Sequence, residues 1–453
     1  MSLSADLAQL APSFGGQLLQ PGDAAYEAAR RVHNGLVDKR PALIARCAGT
    51  ADVADAVRLA RALQLPVAVR GGGHSVAGRA TIDDGVMIDL STMKGIHVDA
   101  RARTARAQGG VLWKELNRET QAHGLATTGG VISTTGISGL TLGGGFGWLL
   151  PKHGLALDNL RSAEIVLADG RVVRAAADEE PDLFWAIRGG GGNFGIAASL
   201  EYDVHPVGPT ITGGLVAHTL QRTLDVMRLY RDACATAPDE LELVAGFLTA
   251  PDGSGTKLNG IVACHCGTLA DGEAALSRIK TFGPPALDLI GPTPYTAQNT
   301  MLDNAFPKGT LNYWKSQFIT DLSDDCIRTL ADAFARGASP LSQIIVEHFH
   351  GKASRVPVAD TACAMRVSGF NVAIIAQWTE LAETDRHVGW ARETYAALSP
   401  YFAGTRYVNY LDADEPADLA ATVYGPNYPR LRDLKTTYDP DNVFRVNVNI
   451  RPR

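Results

Sequence analysis

The stretch VAVRGGGHSVAG, residues 67 to 78, sets a histidine, His74, directly after three glycines at the end of an apolar run. Consecutive glycines give up backbone order that only an unusual backbone shape or a closely held ligand justifies. Glycine-rich segments that follow strands let backbone N–H groups approach an anion. Two more follow, GGGFG at 143 to 147 and GGGGNFG at 189 to 195, and three in one half of a chain point to a large ligand carrying a pyrophosphate. Neither later cluster opens a βαβ unit with an acidic residue about 20 residues on, as a Rossmann dinucleotide site requires, and no G-x-x-x-x-G-K-[ST] loop occurs. The glycines read as a dinucleotide site outside a Rossmann fold, or as tight turns alone.

Other residues invite chemistry less specifically. In VEHFHG, Glu347, His348 and His350 cluster, and strand alternation puts His348 and His350 on one face, where they could touch a substrate or pass for a metal pair. No third ligand stands at sensible spacing, so no metal site is expected. Cys264 and Cys266 in CHC share a strand face, but two thiolates do not close a zinc site, and buried free cysteine behaves as a small hydrophobe. DADEPADLA, beside a proline, reads as a solvated acidic loop.

The elements that must position these groups form two textures. TADVADAVRLARALQLP repeats Val53, Val57, Ala60 and Leu63 from an N-cap at Thr50 to a stop at Pro66, an amphipathic helix, and VAVR follows as a strand. VLWKELNRETQAHG is a second helix with Gly124 at its C-terminal cap. Asp169-Gly170 between two apolar runs signals a hairpin, and Ile196, Ala198, Leu200, Tyr202 and Val204 alternate as a half-buried strand. Beyond residues 205 to 214 the glycine clusters cease. Strand candidates such as LELVAGFLTA and SQIIVEHF then interleave with helices such as TLDVMRLYRDACA, which suggests an antiparallel sheet covered by helices on one face. The fold class is α+β, in two lobes.

Composition narrows the function. A chain of 453 residues, 45% hydrophobic and 20% charged, buries large cores, and its net charge of -6 without a Lys/Arg block excludes a nucleic-acid partner. Six cysteines suit a reducing compartment better than a disulfide scaffold. With no signal peptide pattern and no run of about 18 apolar residues, the expected location is the cytoplasm, with no membrane partner.

Four motifs in order, RGGGHSVAG, GGVISTTGISGLTLGGGFGWLLPKHGLALDNL, FWAIRGGGGNFGI and YDPDNVFRVNVNI, resemble the berberine bridge enzyme-like flavoproteins of the vanillyl-alcohol oxidase superfamily. The resemblance spans nearly the whole chain. It implies a PCMH-type FAD-binding lobe over 1–206 (core about 39–207), a substrate-binding lobe over 207–411, and a segment 412–453 returning to the first lobe. It implies FAD bonded covalently through the His74 ring to the flavin 8α-methyl. The cofactor-binding residues carried over are Arg70, Gly71, Gly72, Gly73, Ser75 and Gly78; Gly130, Thr134, Thr135, Gly136, Gly139, Gly143 and Gly144; and Gly195, Asn447 and Asn449. Many relatives hold a second bond from a cysteine in G-x-C-P-T-V-G, where this chain has Ile132. An alkyl side chain forms no thioether, so one covalent bond is expected. Thr135 stands at a position near which oxygen attacks in the family, and its small size leaves O2 a plausible acceptor.

The segment YVNYLDAD resembles the family region whose second tyrosine, here Tyr410, can take the substrate's proton. A phenol near its ordinary pKa of about 10 is a poor base at neutral pH, so that role requires a lowered pKa or a nearby cation, such as Lys315 or Arg366. Lys315, His348 and His350 are the candidate substrate contacts. The expected function is hydride removal from a small alcohol, sugar or secondary amine, with electrons passed to O2. A flavin dehydrogenase with another acceptor and a non-catalytic nucleotide-binding protein are the competing readings.

Overall fold

The apolar repeat from Thr50 forms a helix over Thr50–Ala62. Its N-cap is Gly49 and not Thr50, whose hydroxyl instead donates to Glu164 Oε1 at 2.6 Å. The structure, a computed structural model, describes residues 11–250, 252–337, 339–404, 406–416 and 419–453. The helix buries its stripe between two sheets, for Val53 and Val57 share a core with Val86 and Ile88 of one and Val166 and Ile196 of the other.

The first sheet orders Gln17–Leu19, Leu43–Arg46, Val86–Asp89 and Val67–Arg70, the last three parallel. Its other face is covered by Tyr26 and Ala29. Burial on both faces is why LIAR, VMID and VAVR read as unbroken apolar runs. The second sheet is antiparallel, in the order Ile96–Asp99, Thr104–Gln108, Ile196–Asp203, Leu160–Val166, Val172–Ala176. Asp169-Gly170 joins its last two strands, Gly170 having φ +81°.

Strand Ile196–Asp203 departs from its expected alternation. A register shift between Ala197 and Ser199 changes the phase, so Ile196 and Ala198 face the Thr50–Ala62 helix while Leu200 and Tyr202 join the opposite core. A β-bulge inverts every side chain beyond it. The strand is therefore buried on both faces.

The third sheet is wholly antiparallel. Its order is Leu287–Asp288, Thr210–Thr219, Lys257–His265, Leu241–Thr249, Gln343–Phe349, Gly369–Trp378, Leu311–Ile319, with Gly291–Pro294 also on Thr210–Thr219. Helices Thr223–Ala235, Asp324–Arg336 and Thr384–Leu398 cover one face, burying Tyr230, Leu330 and Trp390 against Leu243, Ile344, Val346 and Ile374. The opposite face carries Ile345, Ala373 and Ile375 against Ile132 of the glycine-rich half. Helix Tyr428–Tyr438 leads to Asp439, whose carboxylate accepts the N–H groups of Val443 and Phe444. The tail then returns, seating Phe444 beside Val86, and Val448 and Ile450 beside Leu200. Among the described residues no helix is long and apolar enough to cross a membrane.

Candidate active site

Strand Val67–Arg70 delivers the glycine loop to the mouth of a cleft enclosing about 1630 Å³ of empty space, open solvent included. Arg70 does not face it. Its guanidinium is clamped on Asp89 of the neighbouring strand and on the carbonyls of Ala29 and Arg31, at 2.5 and 3.1 Å. It fixes the loop from behind, because a buried arginine must satisfy its fork of donors.

Gly71, Gly72, Gly73, His74 and Ser75 line the cleft, and so do Gly130, Thr135 and Gly136 across from them. A Cβ on Gly72 would lie 2.4 Å from the Gly136 nitrogen, so the two segments meet backbone to backbone. Gly139, Gly143, Gly195 and Asn447 continue the wall. Besides Arg70, four expected cofactor contacts lie outside it: Thr134 lines a second cavity behind the loop, Gly78 packs on Val37, Gly144 packs on Tyr407, and Asn449 is absent from the lining. Asn447 reaches the cleft and Asn449 does not, in a tail that has no strand pleat to bring alternate residues to one side.

His74 stacks on His33 with ring centroids 3.8 Å apart, and its Nε2 lies 3.4 Å from the Thr134 hydroxyl. Burial, helped by His33, pushes its pKa down to about 3, and burial with Lys308 nearby pushes His33 to about 4. Both imidazoles are neutral at pH 7, so His74 keeps a free lone pair.

The other end of the cleft is aromatic. Trp314, Phe146, Tyr407 and Tyr410 line it, and Tyr407 is fixed by stacking on Phe146 at 4.1 Å and by the Gly145 N–H, which donates to its hydroxyl at 3.0 Å. Tyr410 donates to Glu347 Oε1 at 3.1 Å, and Asn371 Nδ2 donates to Glu347 Oε2 at 2.7 Å. Burial raises Glu347 to about 7 even though both hydrogen bonds pull it down. Burial and the adjacent carboxylate push the Tyr410 phenol well above its ordinary value.

These facts correct three expectations. Tyr410 is not a lowered-pKa base, and neither cation serves it: Lys315 Nζ is held by Asp414 at 2.6 Å and Glu415 at 3.1 Å, and Arg366 by both oxygens of Asp158 at 2.8 Å. Lys315 is no substrate contact either, since it alternates with Trp314 and only Trp314 reaches the cleft. His348 and His350 do share a face, but it is the helix-covered one, where they stack on each other at 4.0 Å and His348 stacks on Phe370. Glu347, which directly precedes them, is the residue that meets Tyr410 at the cleft wall. The same alternation that paired the histidines sends it to the opposite face, and only the sheet's orientation tells which face meets the cleft.

Two family models match the chain: the FAD binding domain over residues 41–176, and "berberine and berberine like" over 406–451. (R)-6-hydroxynicotine oxidase of Paenarthrobacter nicotinovorans is 32% identical over 457 residues, covering 97% of each chain. The chain belongs to the berberine bridge enzyme-like family of FAD-linked oxidoreductases. Berberine bridge enzyme-like 26 of Arabidopsis thaliana is 27% identical over 86% of this chain and 80% of its own. The crystal structure of 6-hydroxy-D-nicotine oxidase from Arthrobacter nicotinovorans matches with a TM-score of 0.89 at 30% identity, over 97% of this chain and 99% of that one.

As a member of this family the protein binds FAD, and its own geometry fits the cofactor. A Cβ on Gly139 would meet nothing within 4 Å beyond its own helix turn and chain neighbours, yet Gly139 lines the cleft; its missing side chain leaves room for an occupant. Glycine loops at one end and aromatic rings at the other suit a pyrophosphate and a flat ring.

Proposed function

We propose that this berberine bridge enzyme-like protein is an FAD-dependent oxidase, flavinylated through His74, that takes a hydride from a small alcohol, sugar or secondary amine and returns the electrons to O2. The observation that carries the reading is the Tyr410–Glu347–Asn371 chain of hydrogen bonds ending on the cleft wall. FAD, when bound, supplies the two-electron acceptor.

The chain's residues manage the proton. Substrate oxidation frees one proton from an O–H or N–H, and a buried acceptor with a pKa near the working pH is the efficient place for it. Tyr410, held as a neutral phenol, accepts that proton at Oη while its own passes to Glu347 Oε1. Asn371 holds the carboxylate in register. Trp314 and Phe146 keep bulk water from the reacting atoms.

The remaining choices follow from single residues. His74 is neutral and supplies the lone pair a ring bond needs, with Thr134 beside it. Ile132 lines the cleft with an alkyl chain, so one covalent bond is expected and not two. Thr135 is small and also lines the cleft, which supports O2 as acceptor. Solved structures of similar fold include proteins named chitooligosaccharide oxidase and xylooligosaccharide oxidase, so alcohols and sugars stand beside the amine suggested by the nicotine-oxidising relative.

The test is acid precipitation of purified protein beside a His74→Ala variant. A washed wild-type pellet that stays yellow, with a colourless variant pellet, is the expected result. Flavin released to the wild-type supernatant would refute the covalent link, and flavin-free protein would refute the functional reading.

A further inference from the structure

Behind the loop that carries His74 lies a second cavity, with about 1290 Å³ of empty space including its open mouth. Gly71, Gly72, Gly73 and His74 form a partition, walling the cleft on one side and this cavity on the other. The His33 ring, stacked on His74, faces only the second cavity.

The charges around it do not balance. Arg31, Arg46, Arg70, Lys94 and Lys308 line the cavity against one carboxylate, Asp303, which is engaged by the Ser133 N–H at 2.9 Å and hydroxyl at 2.5 Å. Lys94 is matched by Glu115 at 2.7 Å. Arg31 shares Asp38 with Arg30, which Glu27 also holds at 2.7 Å, and Arg46 shares Asp89 with Arg70. Arg46 makes its Asp89 contact through Nε at 3.2 Å, and Lys308, exposed at the mouth, forms no ion pair among the described residues. Arg46 and Arg70 lean on the single carboxylate of Asp89 and Lys308 on none, so a positive excess remains even after Asp303 is counted. Cationic walls of this kind concentrate small anions and speed their arrival.

We propose that this cavity receives a small, negatively charged electron acceptor, which draws electrons across the His74 partition. The proposal rests on the reading of FAD held at His74. O2 is uncharged and has no need of such a cavity, so this is a second outlet beside it. The balance is simple: the reduced flavin loses two electrons and one proton, and two one-electron anionic acceptors each gain one electron.

The holoenzyme is reduced anaerobically with light and EDTA, so that no substrate is needed, and mixed at low ionic strength with ferricyanide or with uncharged 1,4-benzoquinone. Lys308→Glu is expected to lower the ferricyanide-to-benzoquinone rate ratio about 10-fold, and Lys308→Met by less. Calorimetric titration of the oxidised holoenzyme with inorganic phosphate should show binding that Lys308→Glu abolishes. A ratio unchanged in both variants, or phosphate binding unchanged by charge reversal, overturns the proposal while leaving FAD at His74 intact. Flavin-free protein would sink the FAD reading itself, and the acceptor role with it.

Discussion

Strand Gln343–Phe349 carries two buried titratable groups back to back, and they do opposite things. On the cleft face Glu347 has two hydrogen-bond donors and a pKa raised to about 7. On the helix face His348 stacks on rings, its Nδ1 has no partner among the described residues, and burial lowers it to about 3. Burial is the largest cause of both shifts. What separates them is connection to the cleft: Glu347 reaches it through Tyr410, whereas His348 faces the core under the helices. A shifted pKa marks a functional group only where geometry gives its proton somewhere to go.

The largest effect should come from cutting the connected side. Glu347→Gln keeps the shape and removes the proton acceptor, so anaerobic flavin reduction by substrate, followed in a stopped-flow instrument, should slow about 1,000-fold. Tyr410→Phe removes the link and keeps the carboxylate, with an expected loss of about 100-fold. If both variants reduce flavin within about threefold of the wild type, the relay does not carry the proton.

The pH dependence sharpens the comparison. Glu347 must be ionised to accept, so the wild-type rate of flavin reduction should rise with pH through about 7 and then level. Glu347→Gln should flatten that rise. Stability runs the other way on the two faces. Glu347 has a raised folded pKa, so its contribution is present below the ordinary carboxyl range and is lost as pH rises through about 7. His348 has a lowered one, so the unfolded chain takes up the proton first and stability falls as pH drops from the ordinary imidazole range towards 3.

The smallest catalytic effect belongs to the helix face. His348→Asn should change flavin reduction by less than about threefold, while Tm measured across the acid range should fall less steeply than in the wild type. A loss of rate rivalling that of Glu347→Gln would show that the two faces are coupled and would undo the distinction.

Local signals carried the glycine end of the site and failed at the aromatic end, for a physical reason. The loop at Gly71–His74 is one short segment whose residue types state their own backbone demands, and Asp169-Gly170 likewise forms its hairpin from local turn chemistry. Glu347, Asn371 and Tyr410 come from two strands and the short helical turn Val408–Tyr410, and nothing near any one of them names the others. Lys315 misled in the same way. Beside Tyr410 it would have been a cation for a phenolate, but Asp414 and Glu415 claim it on the far side of its strand.

By itself the sequence determined the α+β class, the helix from Thr50, the glycine loop ahead of His74 and, through motifs in order, kinship with FAD-linked oxidoreductases. These are properties of contiguous residues, where spacing and backbone preference act within a few bonds. The tertiary structure alone decided which face of Gln343–Phe349 meets the cleft, that Arg70 braces the loop from behind, and that a bulge near its start inverts Ile196–Asp203. Each depends on which surfaces pack together, and a period-two strand looks the same from sequence whichever face is turned inward.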